Sequence, residues 1–170
     1  MAASPYSFEP VTEADLGLLG RWIATPHVAA WWGEVDSEVA GIRSDLADPA
    51  MEAFIVAHAG RPIGFLQSYV VHAEPGHPYA DQPPGARGID QFIGEADMVG
   101  LGHGTAFIRR FCEMLESKGV PRIVTDPNPM NARAIRAYEK AGFRPLEERD
   151  TPFGRVLLMA RDGAAQRGQQ

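Results

Sequence analysis

Three glycines at alternate positions, in Val99-Gly100-Leu101-Gly102-His103-Gly104-Thr105, follow an apolar stretch and open an amphipathic one. Such a run requires a tight strand-to-helix turn. It exposes backbone N–H groups at a helix N-terminus, where unpaired donors and partial positive charge suit a phosphate. Any fold for this chain must place a strand before the glycines and a helix after them. A tight turn with a purely structural role is the competing reading.

The rest of the chain reads as a run of short elements. A strand is expected at Phe8–Val11. Thr12-Glu-Ala-Asp15 resembles a capping box, and Leu16, Leu19 and Ile23 recur at helical spacing until Pro26 stops the helix. Trp31-Trp32-Gly33 reads as a turn and Ser37–Ala47 as a second helix. Phe54–His58 and Pro62–Val71 read as strands joined by a hairpin at Ala59-Gly60-Arg61. His72–Ala86, rich in Pro, Gly and His, reads as a long surface loop of the kind that serves binding. Gly88–Glu95 is the strand entering the glycines, and the helix after them spans about Thr105–Ser117. Arg122–Asp126 is a strand, Asn131 starts a helix that ends at Gly142, and Arg144–Arg149 with Arg155–Ala160 form a hairpin. The tail from Arg161 is expected to fray. The order predicts an α+β layer fold in one domain of 170 residues.

Composition narrows the setting. The 45% hydrophobic and 22% charged residues are ordinary for a globular protein, and no apolar run is long enough to span a bilayer. The single cysteine, Cys112, and the lack of a signal-like N-terminus point to the cytoplasm. A net charge of -6 argues against nucleic acid and favours a cationic partner. No His/Cys cluster has metal-ligand spacing, so no metal is expected.

The glycine run lacks the Gly-Lys-Ser/Thr end of a P-loop and the repeated βαβ setting of a dinucleotide fold. A second motif, Asn131-x-x-Ala134-x-x-x-Tyr138-x-Lys140-x-Gly142-Phe143, selects a third reading. With the glycines it resembles the GCN5-related N-acetyltransferases (GNAT), an acyl-CoA N-acyltransferase fold with a mixed central sheet and flanking helices. That resemblance implies acetyl-CoA as co-substrate. It implies cofactor contacts at Met98, Val99, Gly100, Leu101, Gly102, His103, Gly104, Thr105 and Asn131. It also implies that Tyr138 protonates the departing thiolate; the alternative is a core aromatic with a satisfied hydroxyl. Val99 stands where the superfamily loop usually begins with Gln or Arg. In this superfamily a main-chain N–H at a strand bulge before the loop supplies the oxyanion donor, and Met98 or Val99 is the matching place.

Four further segments resemble the aminoglycoside 6′-N-acetyltransferases within that superfamily. They are Trp31-Trp32-Gly33, Pro62-Ile-Gly-Phe-Leu-Gln67-Ser68-Tyr69, Arg87-Gly-Ile-Asp90-Gln91 and Thr125-Asp126-Pro127-x-Pro129-x-Asn131. The resemblance runs from Phe8 to Met159 and is poorest over His72–Ala86. Chemistry gives Asp90 and Asp126 independent interest. An amine must lose a proton to attack a thioester, a carboxylate at a strand end can take it, and apolar strands seldom carry an inward Asp. Each Asp can also be read as a turn or cap residue. The resemblance assigns Asp90 to base or amine positioning and Asp126 to binding of an acceptor amino group. Trp31 and Trp32 read as acceptor-stacking or core residues. Gln67 and Tyr69 read as acceptor contacts or plain strand residues.

The expected partner is a small cationic amine, with no nucleic acid and no membrane, for a monomer or homodimer. Two rivals stand beside the aminoglycoside reading. Siderophore-biosynthetic lysine N-acyltransferases share the Gly-Ile-x strand but typically carry histidine where this chain has Asp90. A non-catalytic acyl-CoA-binding protein would not need Asp90, Asp126 and Tyr138 together.

Overall fold

A computed structural model describes residues 2–168. Seven strands form one sheet in the order β1-β2-β3-β4-β5-β7-β6, as the mixed α+β reading requires. The described residues divide into two compact units, one within Met1–Ser68 and Gln91–Gly104, the other within Tyr69–Asp90 and Thr105–Gln170.

The first unit holds β1 (Tyr6–Pro10), β2 (Met51–His58), most of β3 (Arg61–Val70) and the end of β4 (Arg87–Ile93), with α1 (Leu16–Ile23), α2 (Pro26–Ala29) and α3 (Val35–Asp45). The expected capping box forms, with the Asp15 carboxylate accepting from the Thr12 N–H at 2.8 Å. The buried face of α1 is Leu16, Leu19, Trp22 and Ile23, which join Val28, Ile42, Ile55, Phe65 and Phe92 in one core. Helix α3 begins two residues before the expected Ser37, because the Glu34 carboxylate caps it by accepting from the N–H groups of Asp36 and Ser37 at 3.1 and 2.9 Å. The β2–β3 hairpin turns on Ala59 and Gly60, both at positive φ (48° and 83°), which matches the right-handed twist of the paired strands.

In the second unit β4 runs parallel to β5 (Arg122–Thr125), with Gly88 opposite Val124. Strand β5 is antiparallel to β7 (Gly154–Asp162), which pairs with β6 (Arg144–Thr151). Helix α4 (His103–Ser117), whose first turn lies in the first unit, buries Phe107, Ile108, Phe111, Cys112 and Leu115 at helical spacing. Helix α5 (Ala132–Lys140) starts on Asn131, whose side chain accepts from the Ala134 N–H at 3.2 Å, and stops at Gly142, φ 96°.

Two expectations need correction here. The segment after Tyr69 is not simply a surface loop: Tyr79 and Gln82 are buried within it. The tail does not fray at Arg161, since β7 continues to Asp162 and a short α6 (Ala164–Arg167) follows. Asp162 accounts for this order, because its buried carboxylate accepts from Arg122 at 2.6 Å and Arg144 at 2.8 Å. Residues 169–170 of the tail lie outside the described residues. Among the described residues no helix is long and apolar enough to cross a membrane.

Candidate active site

The first unit carries the glycine segment. Strand β4 ends at Ile93, and the N–H groups of Gly94 and Glu95 both point to the Ile63 carbonyl, at 2.8 and 3.2 Å. Two residues facing one is a β-bulge. It lies four residues before the expected place at Met98 and Val99. At this bulge a Cβ on Gly94 would lie 2.1 Å from the Trp22 indole, so the close approach of the backbone to that ring requires glycine. Met98 sits instead in a 3-10 turn, and the N–H groups of Met98 and Val99 donate to the carbonyls of Glu95 and Ala96 at 3.0 and 3.3 Å. Arg61 grips this turn through two 3.0 Å bonds to Asp97.

Gly100 (φ 78°) and Gly102 (φ 87°) then carry the chain into α4 through left-handed backbone that side chains resist, and nothing crowds either position. Leu101 is exposed, and Gly104 and Thr105 fall in the first turn of the helix, where N–H groups have no carbonyl one turn back. The turn therefore fits an anionic group approaching the backbone. His103 points its Nδ1 at the Tyr6 hydroxyl, 2.8 Å away, with the His58 ring 4.6 Å off, so its side chain is engaged within this unit. Trp32 packs on Phe65 and Phe92 (centroids 6.0 and 5.0 Å), whereas Trp31 stays 47% exposed. The pair thus splits into one core-side ring and one presented ring. Gln67 is half-buried on β3.

The second unit brings together Asp90, Asp126, Tyr69 and Tyr138. Asp90 stands on β4 and Asp126 follows the last residue of the parallel β5. The two carboxyls are close enough for each to feel the other's charge. Burial, and next the negative charge of Asp90, hold the Asp126 carboxyl well above the usual carboxylate range. The Tyr79 hydroxyl donates to Asp126 Oδ2 at 2.5 Å and partly offsets that rise. The Tyr69 phenol is also held protonated, first by burial and then by Asp90, Asp126, Tyr79 and Tyr138. Its ring lies against the backbone of Gly88, where a Cβ would come within 2.4 Å of three ring and hydroxyl atoms. Gly88 therefore makes room for Tyr69 beside the acids. His77, in ring contact with Tyr69 at 5.5 Å, has its pKa lowered by burial.

Tyr138 is buried, with its ring edge on Phe143 at 5.4 Å, seven residues after the helix-capping Asn131. Arg109 of α4 donates to the Lys140 carbonyl at the end of α5. Cys112 is buried, and burial pushes its thiol up to about 12. The native protein is therefore expected to leave Cys112 unlabelled by an aromatic disulfide reagent at pH 7.5, with reaction only after denaturation; rapid native labelling would contradict this. Among the described residues no group of three His, Cys, Asp or Glu side chains is placed to hold a metal.

Tyr79, Asp81 and Arg149 belong to this cluster and escaped sequence reading. Arg149 binds Asp81 through two bonds of 2.9 and 2.6 Å and also donates to the Pro78 carbonyl at 2.8 Å. The only cue was an aromatic inside a Pro- and Gly-rich loop, a residue that such a loop buries when it must be anchored.

A strand bulge, a left-handed glycine turn into a helix, and a parallel neighbour strand ending in a carboxylate define an acyl-CoA transferase fold of the GNAT type. The model of the acetyltransferase (GNAT) domain matches residues 11–151, and the chain belongs to that family as an N-acetyltransferase. Within it the chain is 39% identical over 158 residues to an aminoglycoside N(6′)-acetyltransferase type 1 of Klebsiella pneumoniae, covering 88% of this chain and 79% of that protein. It is 47% identical over 77 residues to a kanamycin resistance protein of Rhizobium radiobacter, covering 45% of this chain and 71% of that one. The structure of AAC(6′)-Ib with coenzyme A and kanamycin superposes with a TM-score of 0.85 at 35% identity, over 97% of this chain and 99% of that chain.

Proposed function

We propose that this chain transfers the acetyl group of acetyl-CoA to an amine of a polycationic aminoglycoside, the 6′-amine by its relatives, within a ternary complex. The observation that carries this reading is the Asp90–Asp126 carboxyl pair, with the Tyr79 hydroxyl on Asp126 and the Tyr69 phenol raised by burial and by the charge of both acids, in a chain 39% identical to an aminoglycoside N(6′)-acetyltransferase. A pair of half-buried acids is costly unless a cation arrives to use it, and an ammonium-rich sugar supplies one.

Backbone N–H groups over Gly100–Thr105 receive the pyrophosphate of acetyl-CoA, and Asn131 starts the helix that carries Tyr138. Asp126 binds an acceptor ammonium. Asp90 takes the proton that the attacking amine must lose. The amine nitrogen bonds to the acetyl carbon, the carbon–sulfur bond breaks, and Tyr138 gives a proton to the leaving thiolate. Trp31, Gln67 and Tyr69 are the further acceptor contacts in this reading, while Trp32 is turned to the core. The oxyanion donor falls to Met98 or Val99 only if the turn that now uses their N–H groups opens; the free donors at the start of α4 are committed to phosphate.

A thiol-release assay with acetyl-CoA tests the reading, comparing kanamycin-type aminoglycosides with hydroxylated lysine derivatives. Release with the aminoglycosides is expected. Release with the lysine compounds alone would place the chain with its more distant likeness, a lysine N-acyltransferase of Mycolicibacterium paratuberculosis at 26% identity. Release with neither would point to a binding protein. Tyr138→Phe is expected to lower kcat about 10- to 100-fold with the acetyl-CoA KM unchanged, since it removes one proton donor and no cofactor contact. Unchanged turnover would remove Tyr138 from the chemistry.

A further inference from the structure

The segment joining β3 to β4 is built inward rather than laid on the surface. Its 3-10 turn (Val71–Ala73) is followed by turns at positive-φ Gly76 and Gly85, and between them Tyr79 is 1% exposed. Tyr79 packs with Val71, Ala86, Val124 and Val156, so its ring is a core residue of the second unit. Its hydroxyl is nevertheless spent on Asp126 Oδ2, at 2.5 Å. Three ties hold the segment in that position. Arg149 of β6 clamps Asp81 with two bonds and takes the Pro78 carbonyl with a third, and its guanidinium lies 6.0 Å from the Tyr79 ring centre. Arg122 of β5 donates to the buried Gln82 at 3.1 Å. His72 bonds to the Ala80 carbonyl at 3.1 Å. The segment thus delivers a hydroxyl to the acid that follows β5.

We infer that Tyr79 is a positioning residue for Asp126, locked in place by the Arg149–Asp81 clamp, and that it sets how readily Asp126 meets the acceptor as a carboxylate. The inference rests on the acetyltransferase reading for its kinetic consequence and on geometry alone for the hydrogen bond. A phenol donating to one carboxylate oxygen fixes the carboxyl rotamer and favours the ionised form. The charged and titratable groups facing this acid are Asp90 on β4, Tyr69 on β3, Tyr79 itself with Arg149 behind it, and, around Tyr69, Tyr138 on α5 and His77. Tyr79 donates directly to Asp126 and favours its charge, and a backbone hydrogen bond acts in the same direction. Loss of the hydroxyl must therefore move the titration of the pair to higher pH.

Tyr79→Phe keeps the ring and removes the donor. Its kcat/KM for kanamycin is expected to fall about tenfold at pH 7, through KM, with the acetyl-CoA KM unchanged, the size of one lost bond to a charged group. The acid limb of its pH profile is expected to move up by about one unit. A second readout needs no turnover: the carboxyl-carbon NMR titration of Asp126, assigned with Asp126→Asn, is expected to shift upward in Tyr79→Phe. An unchanged limb and an unchanged titration overturn the inference, even if the variant melts earlier. If the wild-type protein releases no thiol with any aminoglycoside, the acceptor reading fails and the NMR titration alone decides Tyr79. If Tyr79→Phe does not fold, Asp81→Ala loosens the clamp from an exposed position. It is expected to shift the titration the same way by a smaller step, and no shift overturns the inference.

Discussion

Asp90→Asn is expected to lower kcat with an aminoglycoside by about 10²- to 10⁴-fold and, in the same protein, to raise the melting temperature at pH 8. The loss follows from removing the base proposed for the attacking amine, whose contribution is of that order. The gain follows from the carboxyl pair. Asp126 has its pKa raised in the fold by burial and by Asp90, so the folded state favours its protonated form. A group with a raised folded pKa contributes its stability at low pH and loses it as pH climbs through that raised value. Near and above neutrality the fold therefore carries two acids that resist joint ionisation. Asparagine keeps the size and hydrogen-bonding capacity of Asp90, removes its charge, and lets Asp126 ionise more easily. The rise in melting temperature should accordingly be larger at pH 8 than at pH 5. In the wild-type enzyme the same pair puts the acid limb of kcat/KM above the ordinary carboxylate range. Retained kcat, or a lower melting temperature at pH 8, would show that Asp90 is structural. The trade of stability for activity is that expected of functional acids held close together.

Gly88→Ala is expected to destabilise the protein by about 1–3 kcal/mol, the cost of overpacking a filled site. A methyl at Gly88 would meet the Tyr69 ring at 2.0–2.4 Å, and neither partner can give freely. Gly88 is held by its register with Val124 in the parallel pair. Tyr69 is wedged among Asp90, Asp126, Tyr79 and Tyr138. Calorimetry should show a fall in melting temperature of roughly 3–10 °C for a chain of this size. The acceptor KM should rise as the phenol is displaced. The double variant Gly88→Ala/Tyr69→Ala should recover most of the stability and none of the acceptor affinity. A single variant as stable as wild type would mean that the Gly-Ile-Asp strand carries its glycine for another reason.

Much of this architecture is local and was therefore readable. The Thr12–Asp15 cap, the Ala59-Gly60 hairpin, the stop at Gly142 and the apolar stripe of α4 depend on residues within a few positions of one another. Their chemistry acts before any tertiary contact forms. The glycine run belongs to the same class, because positive φ at Gly100 and Gly102 is a demand that glycine meets wherever it sits. Family membership was legible for a related reason: the glycines and the Asn131–Phe143 helix combine rare residues at fixed spacing.

What the chain order could not decide was which distant groups face one another. At the Gly94 bulge the Trp22 ring, seventy-two residues earlier, occupies the space a side chain would need. Of two adjacent tryptophans, Trp32 turns to Phe65 and Phe92 while Trp31 remains exposed, a choice made by packing and invisible in the pair itself. Asp90 and Asp126 are thirty-six residues apart, and the parallel β4–β5 pairing brings the charge of one to bear on the other. Tyr79 reaches Asp126 in a segment that Arg149, on a strand seventy residues later, pins at Asp81 and Pro78. The sequence by itself determined the local backbone and the candidate reacting groups. Tertiary structure decided their electrostatics, because the proton affinity of a carboxyl depends on burial and on charges a few ångströms away, and those distances exist only once the strands have paired.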